Sequence, residues 1–136
     1  MRIATAWIVS LTLLGITAVA QSWQPAKVVG LGYPRSALVM GLEGAAEIKC
    51  YLANDGSVAR AEPVSGDEEL ASAAIRNAMQ WRFRRVHSGN DSYTLVYRFR
   101  ILRGSKAGEF SGFRFVRPGE IFITAAQIPM RRSPSQ

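Results

Sequence analysis

Residues 93–101 read YTLVYRFRI, and the alternation within this stretch decides the fold. Every second residue is large and apolar, whereas the residues between them are smaller, polar or charged. Because successive side chains of a strand point to opposite faces, a period of two predicts a strand with one face in the core. The predicted inward residues are Tyr93, Leu95, Tyr97, Phe99 and Ile101, and the predicted outward residues are Thr94, Val96, Arg98 and Arg100.

A helix is predicted before this strand. Ser65 and Glu68 have the spacing of a capping box, which satisfies the free N–H groups of a first helical turn. Trp81 and Phe83 then alternate with arginines, which predicts an extended segment whose two rings cover the core. Apolar residues recur at helical spacing, and this stripe comprises Leu70, Ala71, Ala74, Ile75, Ala78 and Met79, with Arg76, Asn77 and Gln80 off it.

Two strands joined by a tight turn are predicted before the helix. A period of two runs from Glu43 to Leu52, with Cys50 on the inward side. Gly56 follows Asn54-Asp55 and supplies the positive φ that a tight hairpin needs. The return strand spans residues 57–64, and Pro63 near its end indicates an edge position or a bulge.

The order β-β-α-β predicts an α+β domain of two layers, a small antiparallel three-stranded sheet with one main helix packed across it. Residues 21–32 are predicted to be an extended lead-in, and residues 102–136 a tail with two short β-like runs, 113–116 and 121–124, and a disordered end. The predicted core consists of Ile48, Leu52, Leu70, Ala74, Ala78, Trp81, Phe83, Leu95, Tyr97 and Phe99.

Residues 1–20 differ in composition from the rest of the chain. Arg2 is followed by an uncharged, mostly apolar stretch that lasts until Lys27. The first segment closes with Ala18-Val19-Ala20, the small-x-small pattern before a signal-peptide cleavage site. We therefore expect a cleaved signal peptide and a periplasmic protein that begins at Gln21. The alternative is an uncleaved inner-membrane anchor facing the periplasm, because the uncharged stretch is just long enough to span a bilayer.

The composition excludes several function classes. One Cys and one His exclude a Cys/His zinc site and a disulfide framework within the chain. His87 lies in a polar loop without a second His, and neither a nucleophile elbow nor a Walker loop is present, so no catalytic residue, metal or cofactor is predicted and the chain is not expected to be an enzyme. Inward-facing Cys50 is expected to be a buried thiol, with an intermolecular disulfide as the alternative if that parity is wrong.

The net charge of +7 makes anionic partners plausible. The stretch from Trp81 to Arg85 resembles a strip for stacking and charge pairing with single-stranded nucleic acid. The other interpretation places both rings in the core and the arginines in solvent, and we adopt it, so nucleic acid is not an expected partner.

Several short motifs, none specific alone, occur in a characteristic order. They are Tyr33-Pro34, Glu43-Gly44, Asp55-Gly56, Ser65-Gly66, Trp81-Arg82-Phe83 and Phe99-Arg100-Ile101. In this order and at this spacing, residues 33–101 resemble the TonB C-terminal domain. The resemblance implies the β-β-α-β fold derived above and a periplasmic domain related to TonB-dependent transport across the outer membrane.

The resemblance also implies a binding site. TonB domains bind a short receptor segment, the TonB box, as a strand added beside their last strand, which is β-augmentation. The matching strand here is 93–101, with Thr94, Val96, Arg98 and Arg100 as the partner-binding edge. A lead-in contact at Gly30, Tyr33 and Pro34 is implied as well. The chain departs from a full TonB because its first segment lacks a His and its 12-residue lead-in reaches only roughly 40 Å.

Two functions follow as expectations. The first is an interaction module that binds an extended, TonB-box-like peptide or a partner protein by strand addition, with a homodimer as one form of this. The alternative is a soluble periplasmic scaffold whose basic surface binds an anionic envelope polymer. Anion binding weakens steeply with salt, whereas backbone strand addition weakens little, so salt dependence separates the two.

Overall fold

The computed structural model of the chain describes residues 22–104, 112–117 and 119–127. The predicted signal peptide and the predicted disordered end lie outside these residues. The elements in chain order are β1 (Trp23–Lys27), α1 (Arg35–Met40), β2 (Gly44–Leu52), β3 (Val58–Ser65), α2 (Glu68–Ala78), β4 (Arg82–Arg85), β5 (Ser92–Leu102), β6 (Gly112–Arg117) and β7 (Glu120–Ala126).

The strands form two sheets. One has five strands in the order β3-β2-β5-β7-β6, and the other pairs β1 with β4. In the larger sheet β5 is antiparallel to β2 but parallel to β7, so the sheet is mixed. The α+β class is confirmed, whereas the prediction of a three-stranded sheet with one main helix is wrong. The tail adds two strands beside β5, the lead-in pairs with the segment after α2, and α1 is a second helix.

The small sheet fixes the lead-in. Trp23 is buried, and its indole N–H donates a hydrogen bond of 3.0 Å to the carbonyl of Asn90. The guanidinium of Arg85 lies 4.3 Å from the centre of the Trp23 ring and pairs with Asp91. A cation over an aromatic face is attracted by the ring electrons, so this contact helps hold β1 against β4.

Helix α2 begins later than the capping-box prediction implied. β3 continues to Ser65, and Asp67 is the N-cap residue, whose side chain accepts hydrogen bonds from the backbone N–H groups of Glu69 and Leu70. The prediction of a Ser65 cap is therefore wrong. An aspartate is equally suited to this position because its carboxylate satisfies free N–H groups and favours the positive helix end.

The core lies between α2 and the larger sheet. All ten residues named above as core residues are buried, and Trp81 and Phe83 cover the core as expected of that segment. Asn77 is also buried, although its polarity had placed it off the apolar stripe, whereas Met79 is exposed although the stripe included it. Among the described residues, none of the helices combines the length and apolarity needed to cross a bilayer.

Candidate partner-binding edge

The edge of β5 that faces away from β2 carries a regular series of backbone groups. The N–H of Val96 donates a hydrogen bond of 2.7 Å to the carbonyl of Gly119, just before β7. At the other end, the N–H of Gln127 donates a hydrogen bond of 3.0 Å to the carbonyl of Leu102. Between these bonds the register runs from Val96 opposite Glu120 to Leu102 opposite Ala126.

The structure shows which backbone groups the predicted edge residues present. N–H groups two residues apart in a strand point in the same direction, so those of Arg98 and Arg100 point to the same side as that of Val96. The side chains of Thr94, Arg98 and Arg100 are exposed and that of Val96 is half-buried. The four residues therefore lie on one edge, but that edge is not free, because β7 is paired with it.

Side chains reinforce the pairing of β5 with β7. Ile121 and Ile123 are 0% exposed and extend the core beyond β5. On the outer face, Nε of Arg98 donates a hydrogen bond of 2.7 Å to Oε1 of Glu120. Because this ion pair is partly exposed, it stabilises the pairing of β5 with β7 less than the burial of the two isoleucines does.

Gly119 permits the close approach of β7 to β5. Its φ is +84°, and a Cβ at this position would lie 2.8 Å from the carbonyl oxygen of Thr94. Both observations favour glycine, since a side chain would be strained by the backbone conformation and would also collide with backbone of the neighbouring strand.

Asn77 connects the lead-in to the helix and to β5. Its side-chain amide donates hydrogen bonds of 3.0 and 3.1 Å to the carbonyls of Val29 and Gly30. Its Oδ1 accepts hydrogen bonds of 2.9 Å from both the indole of Trp81 and the hydroxyl of Tyr97. All four bonds involve a side chain that is 2% exposed, so Asn77 is a satisfied buried polar group that positions three segments.

Tyr33 of the lead-in packs against Phe99 of β5, whereas Gly30 and Pro34 lie beside α2. The ring of Tyr33 meets that of Phe99 edge-to-face with a centroid distance of 5.5 Å, and its hydroxyl donates a hydrogen bond to the carbonyl of Leu42. Burial, with a smaller effect of Glu43, raises the pKa of Tyr33 to about 12. Gly30 and Pro34 line a shallow cleft beside α2.

The structure shows where the two side chains considered for reactive chemistry, His87 and Cys50, lie. Within the part of the chain that the structure describes, no group of three or more His, Cys, Asp or Glu side chains could hold a metal ion. His87 is exposed. Cys50 is fully buried on the inward side of β2, and burial raises the pKa of its thiol to about 12, so the reactive thiolate is disfavoured. What this region offers is the backbone edge of β5, with which β7 is paired.

Two residues of this region were missed by the sequence analysis. Asn77 lies seven residues after Leu70, a spacing that returns to the same helical face, and this spacing was the available signal. Glu120 lies directly before the β-like run 121–124, but its pairing with Arg98 depends on a parallel strand arrangement that alternation does not specify.

Comparison with known proteins finds a matching family and a similar solved structure. The family model described as Gram-negative bacterial TonB protein C-terminal matches residues 29–102, more than half of the chain. Among solved structures, the chain is similar to the solution NMR structure of the Pseudomonas aeruginosa TonB CTD, at 21% sequence identity and a TM-score of 0.39, over 58% of this chain and 84% of that chain. The comparison with curated proteins finds no match. The family match identifies the chain as a member of the TonB C-terminal family.

Proposed function

We propose that the protein is a non-enzymatic interaction module of the cell envelope that binds an extended segment of a partner protein as a strand added to β5. The observation that carries the proposal is the pairing of β5 with β7, in which the backbone groups of this edge pair with those of a neighbouring strand. Backbone hydrogen bonds of this kind provide affinity, and neighbouring side chains provide selectivity.

Membership of the TonB C-terminal family supports a partner related to TonB-dependent transport across the outer membrane. The partner we propose is a TonB-box-like receptor segment, which would contact the edge at Thr94, Val96, Arg98 and Arg100. Gly30, Tyr33 and Pro34 are proposed as a secondary contact at the lead-in. We further propose export to the periplasm by cleavage before Gln21.

The test compares two substitutions at one edge residue. Val96→Pro removes the N–H that points toward the edge, whereas Val96→Ala keeps it and serves as the matched control. The probe is a set of fluorescent peptides from the TonB boxes of outer-membrane receptors, and binding is measured by anisotropy. We expect Val96→Pro to keep its circular dichroism spectrum and lose at least about tenfold in affinity, while Val96→Ala stays within about twofold.

Salt dependence tests the alternative. We expect affinity to change little up to about 0.3 M salt, because backbone hydrogen bonds are not screened as surface charges are. Arg98→Ala and Arg100→Ala should also bind nearly normally at that salt concentration. If folded Val96→Pro binds as the unsubstituted protein does while the two arginine variants lose binding, strand addition is refuted and a basic anion-binding surface replaces it.

A further inference from the structure

We propose that β6 and β7 form a built-in occupant of the partner-binding edge, so that a partner strand binds only when β7 leaves β5. This inference rests on the proposed function, since it assigns the same edge to two competing strands, one within the chain and one from the partner. It identifies the hairpin as an autoinhibitory contact rather than a passive extension of the sheet.

The first argument is that β7 uses the backbone groups that a partner would need. Pairing runs along β5 from Val96 to Leu102, and the hydrogen bonds to Gly119 and from Gln127 lie at its two ends. Each edge of a β-strand can form backbone hydrogen bonds with only one neighbouring strand along a given length. An external strand and β7 therefore cannot occupy this length of β5 together.

The second argument is that the hairpin lies where it can separate as a unit. β6 is the outermost strand of the sheet and pairs only with β7 in that sheet order, so it would move with β7. Its residues Phe115 and Val116 are 38% and 47% exposed, and its contact with the core includes the ring of Phe115, 6.1 Å from that of Trp81 between centroids. Separation would leave the β3-β2-β5 part of the sheet and its packing on α2 in place.

The third argument concerns the cost of separation. Ile121 and Ile123 are fully buried, so a departing β7 uncovers apolar core that the incoming strand must cover again. The edge therefore selects a partner segment with apolar side chains at alternate positions, and the pairing of Arg98 with Glu120 favours an acidic residue directly before them. A partner lacking this pattern would not compensate for the loss of β7.

Because β7 belongs to the same chain as β5, a partner strand needs a minimum affinity to displace it. A strand joined by a short tether competes at an effective concentration of about millimolar. The apparent affinity of the partner is lowered by the fraction of molecules in which the edge is open. Variants that weaken β7 docking should consequently bind a partner more tightly than the unsubstituted protein.

A reversible cross-link tests the inference directly. Arg100 and Thr124 face each other across β5 and β7, so the double variant Arg100→Cys/Thr124→Cys can be oxidised to lock β7 in place. The native thiol at Cys50 is fully buried and does not compete. The reduced form of the same protein is the matched control, and circular dichroism verifies that both forms are folded.

The probe is a fluorescent peptide with the sequence of residues 119–127, GEIFITAAQ, which carries the side chains that this edge already accepts. We expect the reduced form to bind it at least about tenfold more tightly than the oxidised form. Ile123→Ala, which removes buried contact from β7, should bind more tightly than the unsubstituted protein. A peptide with Asp at both Ile positions should not bind.

The results separate this inference from the proposed function. If oxidised and reduced forms bind the receptor peptides equally well, β7 is not a gate and the β5 edge is not the contact, whereas binding of an extended segment at another part of the domain survives. If neither the reduced form nor Ile123→Ala binds any of these peptides, both proposals fail. A concentration-dependent dimer that the oxidised monomer cannot form would show that β7 exchanges between copies, and this would overturn its role as an occupant within one chain.

Discussion

The indole N–H of Trp81 donates a hydrogen bond of 2.9 Å to the side-chain oxygen of Asn77, one helical turn earlier. The same oxygen accepts the hydroxyl of Tyr97 from β5, and the amide nitrogen holds the lead-in at Val29 and Gly30. One buried side chain thus joins the helix to the strand that carries the binding edge. Because buried polar groups must remain paired, this arrangement makes stability depend on a single amide.

Replacement of Asn77 should reveal this dependence. Asn77→Ala leaves the indole N–H of Trp81 and the hydroxyl of Tyr97 without their acceptor, and we expect a loss of about 3 kcal/mol in the free energy of unfolding. Gln80→Ala, one turn away on an exposed position, should change it by less than about 0.5 kcal/mol. Urea denaturation measures both, and a loss below 1 kcal/mol for Asn77→Ala would contradict the role described.

Two tyrosines of β5 provide a second comparison. The hydroxyl of Tyr93 is buried and has no hydrogen-bond partner in the described part of the chain, whereas that of Tyr97 is bonded to Asn77. Tyr93→Phe is therefore expected to leave stability unchanged or to raise it by up to about 1 kcal/mol, and Tyr97→Phe to lower it by about 1–2 kcal/mol. Thermal and urea unfolding of both variants check the difference. Equal losses would contradict it.

Alanine substitutions at Gly119 and Gly104 distinguish the effect of backbone strain from the effect of a close contact between strands. Their φ angles are +84° and +80°, but only at Gly119 would a Cβ collide with β5, at the carbonyl of Thr94. Gly104→Ala should lower the free energy of unfolding by about 1 kcal/mol. Gly119→Ala should lower it further and loosen the docking of β7 on β5. Amide hydrogen exchange at Val96 is the specific measurement, since its N–H bonds to the carbonyl of Gly119. Faster exchange in both variants alike would argue against the close contact.

Stability should decline at alkaline pH. Burial raises the pKa of Tyr33 from 10.0 to about 12, so between these values the unfolded chain releases a proton that the folded protein retains. The folded state binds more protons in this range, and the free energy of unfolding therefore falls as pH rises from about 10 to about 12. Tyr33→Phe should make this decline shallower in urea unfolding measured at a series of pH values. Parallel curves for the two proteins would exclude the contribution.

Alternation and helical spacing predicted most of the central fold because both report which side of an element is buried. β5, the β2–β3 hairpin and α2 each have one apolar side, and their order gives the two layers. The core residues of these elements could be predicted for the same reason. Met79 is an exception because α2 ends at Ala78, so the helical period no longer applies where that side chain begins.

The neighbours of β5 could not be predicted in the same way. The tail runs had a period of two, but whether a strand pairs with β5 or with another element depends on distant parts of the chain. The parallel pairing of Val96 with Glu120 has no local sequence signal. Asn77 was misplaced because polarity was given more weight than position, although four hydrogen-bond partners make burial of its amide favourable.

The parallel pairing of β5 with β7 also has a consequence for the order of events in folding. Each paired residue of β5 lies 24 positions before its partner in β7, from Val96 with Glu120 to Leu102 with Ala126. The β6–β7 hairpin closes shorter loops, so we expect it to form before it docks on β5. The edge of β5 is therefore open for part of every folding event, and a strand encountered then does not have to displace β7.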